Sequence, residues 1–213
     1  MTLYENTITK TMSVIATRLQ PVLDDSWYLA GGTALALQIG HRASVDLDYF
    51  SMHSFDTNVF RENLQHVFDT AQISFDFETK DTLWCTIDGV KVSFIARPIK
   101  LLQPPMTSNQ FVLAGFSDIT VMKLLALCSR EEYKDYVDLA CLSRVTDVRL
   151  WPEWWNEVYP NQDLTSWLLA LSSVSQVPEI PLVYMDAFEV LPVAVTVRSV
   201  VTELTAYIEK MNA

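Results

Sequence analysis

The chain has 213 residues, half of them hydrophobic, and carries a formal net charge of −11. That length suits one large domain or two small ones and supports a sizeable core. The acidity excludes broad, charge-driven binding to nucleic acid, which needs clustered Lys and Arg.

Residues 3 to 20 place Leu3, Ile8, Met12, Ile15, Ala16 and Leu19 at the spacing of an amphipathic helix, and Pro21 ends it. The stretch LAGGTALALQIGHRASVDLDYFS, residues 29 to 51, comes next. It opens on the short apolar run Trp27 to Ala30, turns at Gly31 and Gly32, and continues as a helix from Thr33 to Ile39. Gly40 closes that helix, and Val45 to Phe50 reads as a strand. A helix that opens on glycines lets a phosphate come close to free backbone N–H groups. Strand residues two apart share a face, so Asp46 and Asp48 point one way while Val45, Leu47 and Tyr49 point the other. Adjacent carboxylates repel unless a cation lies between them. Mg²⁺ is the natural guest, being hard and usually held by one or two carboxylates together with substrate phosphates. Asp-x-Asp by itself is more often two solvated aspartates; the glycine turn at this spacing makes the pattern specific.

Asp56 reads as the N-cap of a helix from Thr57 to about Ala71, with Val59, Phe60, Leu64, Val67 and Phe68 on its buried face. Ile73, Phe75 and Phe77 then alternate with polar residues. Thr82 to Ile87 and Val90 to Ala96 are joined by Asp88-Gly89, a strong hairpin signal. Pro98, Pro104 and Pro105 mark a loop, and a domain boundary is expected near 104 to 116. The remainder reads helical. Ser117 or Asp118 caps a helix through about Ser129, and Glu132 to Val145 forms a second. Pro152 opens a Trp-rich third, Asp163 caps a fourth to about Val174, residues 177 to 192 are irregular, and Val195 to Met211 is the last.

The first motif resembles that of the nucleotidyltransferase superfamily, a Gly-Gly or Gly-Ser turn followed by Asp-x-Asp on the next strand. GGTALAL, GHR and S-x-DLDYFS resemble more closely the AbiEii/AbiGii toxin family of nucleotidyltransferases. The segment SDITVMKLLALCSREEYKDYVDLACL, residues 117 to 142, is similar to that family's second signature: a Lys-bearing helix, an Arg, then Lys-Asp-x-x-Asp. From the residues alone, Lys123 could snorkel to solvent and Lys134–Asp138 could be ordinary i,i+4 helix support. The resemblance implies more. It makes Lys123 a catalytic, nucleotide-binding lysine and Arg130 and Lys134 triphosphate contacts. Asp135 becomes the acidic residue of the signature, and Asp138 orients Lys123 or Arg130. In the first signature Gly31, Gly32 and Thr33 approach the phosphates. Arg42 meets a phosphate or pairs with Asp46 or Asp48, and His41 packs.

The implied fold is α/β: a nucleotidyltransferase core with a mixed β-sheet over residues 1–105, and a C-terminal helical bundle over 106–213 that closes the nucleotide cleft. The implied function is Mg²⁺-dependent transfer of a nucleoside monophosphate from an NTP to an acceptor. By resemblance the chain is the toxin of a bacterial toxin–antitoxin or phage-defence pair, with tRNA 3′ ends as a candidate acceptor and a cognate antitoxin as partner. Members of the superfamily usually place a third carboxylate on a strand beyond Asp-x-Asp; here VKVSF offers Ser93. Serine is a poor Mg²⁺ ligand beside a carboxylate, which keeps open the alternative of a degenerate nucleotide-binding or protein-interaction module. Any RNA contact must come from a small basic patch, for which Arg97, Lys100, Arg144 and Arg149 are candidates. Cys85, Cys128 and Cys141 lack C-x-x-C spacing and read as buried thiols, without a disulfide framework or zinc site. No signal pattern opens the chain, and no uncharged apolar run approaches the ~18 residues of a membrane span, so a cytoplasmic location is expected.

Overall fold

The structure, a computed structural model, describes residues 2–185, 189 and 192–211. Two compact units divide the chain. The first comprises residues 1–100 and 104–114, the second residues 101–103 and 115–213.

In the first unit, α1 (Lys10–Leu19) is capped by the Thr9 hydroxyl, which accepts from the Met12 N–H. Met12, Ile15, Ala16 and Leu19 form its buried stripe. β1 (Trp27–Leu29) runs into α2 (Gly31–Ile39), then β2 (Asp46–Ser51), the order expected from the glycine turn. Val45 lies just before β2 and is 67% exposed, so the strand's buried face begins at Leu47. α3 (Thr57–Val67) starts where Asp56 Oδ1 accepts from the N–H groups of Asn58 and Val59. It is four residues shorter than its periodicity suggests, because Phe68 is already extended. Phe60, Leu64 and Phe68 are buried, whereas Val59 is exposed. Phe60 meets Trp27, Phe55 and Phe94 in an aromatic cluster with centroids 4.8–5.1 Å apart. Such pairs contribute about 0.5–1.5 kcal/mol each beyond area burial, so this cluster anchors α3 over β1 and Phe94.

β3 (Ile73–Thr79), β4 (Thr82–Ile87) and β5 (Val90–Ala96) form an antiparallel meander. At the β4–β5 turn Asp88 and Gly89 both have positive φ, 47° and 81°, as a type I′ hairpin demands. β3 carries a bulge between Phe75 and Phe77. A second hairpin, β6 (Met106–Ser108) and β7 (Phe111–Leu113), was not expected from the sequence. Its strands are too short to show a period, and Asn109 makes the turn at φ 51°. The seven strands run in the order β3-β4-β5-β2-β1-β7-β6. β2 pairs with β5 in parallel and with β1 antiparallel, giving the mixed sheet.

The second unit is helical: α4 (Phe116–Ser129), α5 (Tyr133–Val145), α6 (Trp151–Val158), α7 (Thr165–Ser172) and α8 (Val193–Met211). Trp151, Trp155 and Trp167 are fully buried among them. α4 begins at Phe116 with Gly115 as its cap, not at Ser117 or Asp118. The Asp118 carboxylate instead accepts from the N–H groups of Leu102 (2.8 Å) and Gln103 (3.2 Å), tying residues 101–103 to this unit. Burial raises the Asp118 pKa, against the pull of those N–H groups. The pairing of β7 with β1 keeps the β6–β7 hairpin with the sheet, so residues 104–114 belong to the first unit and 101–103 to the second. Part of the irregular stretch expected over 177 to 192 lies outside the described residues. Cys85 and Cys141 are buried thiols, but Cys128 is exposed. No described helix is long and apolar enough to cross a membrane.

Candidate active site

The site in the first unit is built on β2. Burial alternates along it: Asp46, Asp48 and Phe50 are half-buried, and Leu47, Tyr49 and Ser51 are buried. Asp46 and Asp48 therefore share the open face. In the adjacent parallel strand β5, Lys91 lies opposite Asp46 and Ser93 opposite Asp48. The Ser93 hydroxyl donates to Asp48 Oδ1 at 2.5 Å. Ser93 thus occupies the neighbouring-strand position beside the Asp-x-Asp pair.

The glycine turn closes the other side. Gly31 has φ +66°, and a Cβ there would lie 3.3 Å from Asp48 Oδ2. Both the left-handed backbone and the approach of the carboxylate call for glycine. The first-turn N–H groups of Gly31, Gly32 and Thr33 have no partner within their own helix. They surround the end of the helix that favours negative charge. The Thr33 side chain does not line the open face. It is buried, its hydroxyl bonding to the Asp46 carbonyl and to Ser44 Oγ at 2.7 Å. Thr33 thereby pins the start of β2 to the first turn of α2. His41 and Arg42 are also buried, and Arg42 Nη1 donates to the Ala43 carbonyl at 3.0 Å.

The donors on the open face are hard oxygens: two carboxylates and a hydroxyl. Among the described residues no group of three or more His, Cys, Asp and Glu side chains is placed to hold a metal. A cation here would have Asp46 and Asp48 as its only carboxylate ligands, which fits Mg²⁺ carried with substrate phosphates.

The second signature forms a different kind of group in the second unit. Lys123 on α4 is 5% exposed. Its Nζ is 2.7 Å from Asp135 Oδ1 and 2.5 Å from Asp138 Oδ2, both on α5 and both fully buried. Burial alone would pull the Lys123 pKa down. The charges of Asp138 and Asp135, and the hydrogen bonds to them, more than reverse this, and the net shift is upward. Arg130 Nε reaches Asp135 Oδ2 at 3.2 Å from the other side, with half its side chain exposed. Lys134 does not pair with Asp138 along the helix. Its ammonium bonds Glu132 at 2.9 Å, because Asp138 turns inward to Lys123. Of the basic patch expected from the sequence, Arg149 is held by Asp147 at 2.6 Å.

Sequence reasoning missed Ser44, Asp118 and Glu132. Ser44 and Asp118 bond partners 11 or more residues away, and short-range patterns carry no signal for such contacts.

The sequence profile of the nucleotidyl transferase AbiEii toxin family, of type IV toxin–antitoxin systems, matches residues 14–153. The chain belongs to that family. The AbiEii match takes in both signatures, from Gly31 to Asp138. An uncharacterised protein of Aquifex aeolicus (strain VF5) is 36% identical over 122 residues, 56% of this chain and 59% of that protein's length. Among solved structures, the nucleotidyltransferase toxin MenT4 of Mycobacterium tuberculosis H37Rv has a similar fold. Its TM-score is 0.51 at 16% identity, over 92% of this chain and 83% of that one. JHP933 of Helicobacter pylori scores 0.47 at 16% identity, over 95% of this chain and 94% of that one.

Proposed function

We propose that the protein is a nucleotidyltransferase that moves a nucleoside monophosphate from an NTP to an acceptor hydroxyl. The observation that carries this reading is the pair Asp46 and Asp48 on one open strand face, against the glycine N-terminus of α2. The acceptor oxygen attacks the α-phosphorus and forms the new P–O bond. The bond from the α-phosphorus to the bridging oxygen breaks, and pyrophosphate leaves with the electron pair. Asp46 and Asp48 would hold Mg²⁺, which when bound neutralises charge on the phosphoryl oxygens. The N–H groups of Gly31, Gly32 and Thr33 receive phosphate oxygens. By the resemblance of the second signature, Arg130 and Lys134 are the candidate triphosphate contacts. Lys123 acts through Asp135, which it holds in place beside Arg130. With Ser93 at the neighbouring-strand position, no carboxylate there takes the hydroxyl proton; it passes to water, and transfer is slow. The family supports a toxin role with a cognate antitoxin as partner; a tRNA 3′ end as acceptor and a cytoplasmic location complete our reading.

The Ser93–Asp48 hydrogen bond also favours a second reading, a nucleotide-binding module without transfer. One experiment separates the two. Wild type and Asp46→Ala/Asp48→Ala are incubated with each labelled NTP, Mg²⁺ and total tRNA. Label on RNA from wild type alone supports the transferase. Mg²⁺-dependent NTP binding with no labelled product supports the module. Equal NTP binding by both proteins removes the site.

A further inference from the structure

The register of the sheet extends the Asp48 position sideways into an aromatic platform. Asp48 lies opposite Ser93, Ser93 opposite Trp84, and Trp84 opposite Phe77. Directly opposed residues project from the same face, so these four form one row across β2, β5, β4 and β3. Trp84 and Phe77 are 46% and 44% exposed, with ring centroids 4.7 Å apart and planes tilted by 39°. The row beside it contains Asp46, Lys91 and Thr86, and Lys91 is exposed. Folding alone does not call for two large aromatic rings open to solvent on the carboxylate face. The opposite face already buries Leu47, Tyr49, Leu83, Cys85, Val92 and Phe94.

We infer that Phe77 and Trp84 stack unpaired bases of a single-stranded RNA acceptor, a few nucleotides behind its reacting 3′ end. The inference rests on the transferase reading above and names the residues that position its acceptor. Neighbouring strands are about 4.8 Å apart, which puts Trp84 about 10 Å and Phe77 about 14 Å from Asp48 along the row. At about 3.4 Å per stacked nucleotide, those distances are about three and four steps, which are the fourth and fifth nucleotides counted from the end. Stacking also answers the charge problem. A chain at −11 is a poor ligand for phosphates, so stacking, which every base allows because it has a π-face, supplies a part of the affinity that overall charge does not. Lys91 is the nearby cation that offsets Asp46 and Asp48 for the approaching backbone.

The test measures binding of a 5′-fluorescein-labelled single-stranded RNA 12-mer by polarisation, without NTP, so it is independent of transfer. Trp84→Leu and Phe77→Leu are expected to weaken binding about tenfold or more each, and Trp84→Phe to retain most of it. Abasic substitution at the fourth nucleotide from the 3′ end should weaken wild type and leave Trp84→Leu unchanged, and at the fifth it should weaken wild type and leave Phe77→Leu unchanged. Melting temperatures within a few degrees of wild type exclude misfolding. The inference is overturned if the leucine variants bind the RNA as wild type does, or if blunt duplex RNA binds equally well. It is also overturned if the variants lose Mg²⁺–NTP binding instead, which would make the rings a seat for the nucleotide donor. Loss of transfer with stacking intact would count against the transferase reading alone.

Discussion

Two pairs of aspartates sit in this chain, and their surroundings have opposite consequences. Asp46 and Asp48 lie two apart on a strand, half-buried, on a face that also carries a serine, a lysine and two open aromatic rings. Asp135 and Asp138 lie three apart on a helix, fully buried, and share the ammonium of Lys123. A buried carboxylate pair is tolerated only with its counter-charge built in. A pair on an open face can leave that charge to a ligand. The comparison separates carboxylates that hold the protein together from carboxylates poised to hold something else, although both belong to family signatures.

The largest effect expected from breaking the comparison is at the buried pair. Lys123→Met leaves two buried carboxylates facing each other and should cost about 3–5 kcal/mol, measured by urea unfolding. Replacing all three residues together, Lys123→Met with Asp135→Leu and Asp138→Leu, should recover most of that loss. A Lys123→Met protein as stable as wild type would mean that the lysine is not the counter-charge. The pH dependence has a definite sign. Because the folded-state pKa of Lys123 is raised, its contribution is complete below the ordinary lysine value of 10.5 and is lost as pH rises through the higher folded one. Unfolding followed from neutral to strongly alkaline pH should show this limb in wild type and lose it in Lys123→Met.

At the open pair the expected losses are functional. Asp46→Asn/Asp48→Asn should lower transfer by at least about a hundredfold, with a smaller loss of stability than Lys123→Met. Single-turnover transfer and calorimetry are the measurements, and a drop in melting temperature matching that of Lys123→Met would erase the distinction. Gly31→Ala comes next. A left-handed alanine costs about 1–2 kcal/mol, and its methyl would press on Asp48 Oδ2, so nucleotide affinity should fall together with stability. Ser93→Asp should cost about 1 kcal/mol in the apo protein, partly restored by Mg²⁺. Transfer should be faster once a third carboxylate stands beside Asp48. Robust wild-type transfer with no Mg²⁺-dependent effect of Ser93→Asp would mean that another residue completes the site.

Local chemistry made much of this legible in the chain itself. The two-residue period placed Asp46 and Asp48 on one face, Asp56 announced α3, and Asp88-Gly89 announced its hairpin, because each signal is carried within a few residues of its structural effect. The strand–glycine turn–helix–strand order is of the same kind. What depends on partners far along the chain was settled only by tertiary structure. Ser93 could have faced Asp48 or missed it by one residue, and the parallel register of β5 on β2 decides which. Lys123 looked equally able to reach solvent or a phosphate until α5 brought Asp135 and Asp138 against it. Thr33 sits in the glycine motif but turns inward to Ser44 and the Asp46 carbonyl. Val59 fits an apolar stripe and yet lies on the outside of α3. β6 and β7 exist because β7 pairs with β1, about 80 residues earlier. Periodicity and capping are properties of neighbours in sequence. Register and charge compensation are properties of neighbours in space, and only the folded chain brings those together.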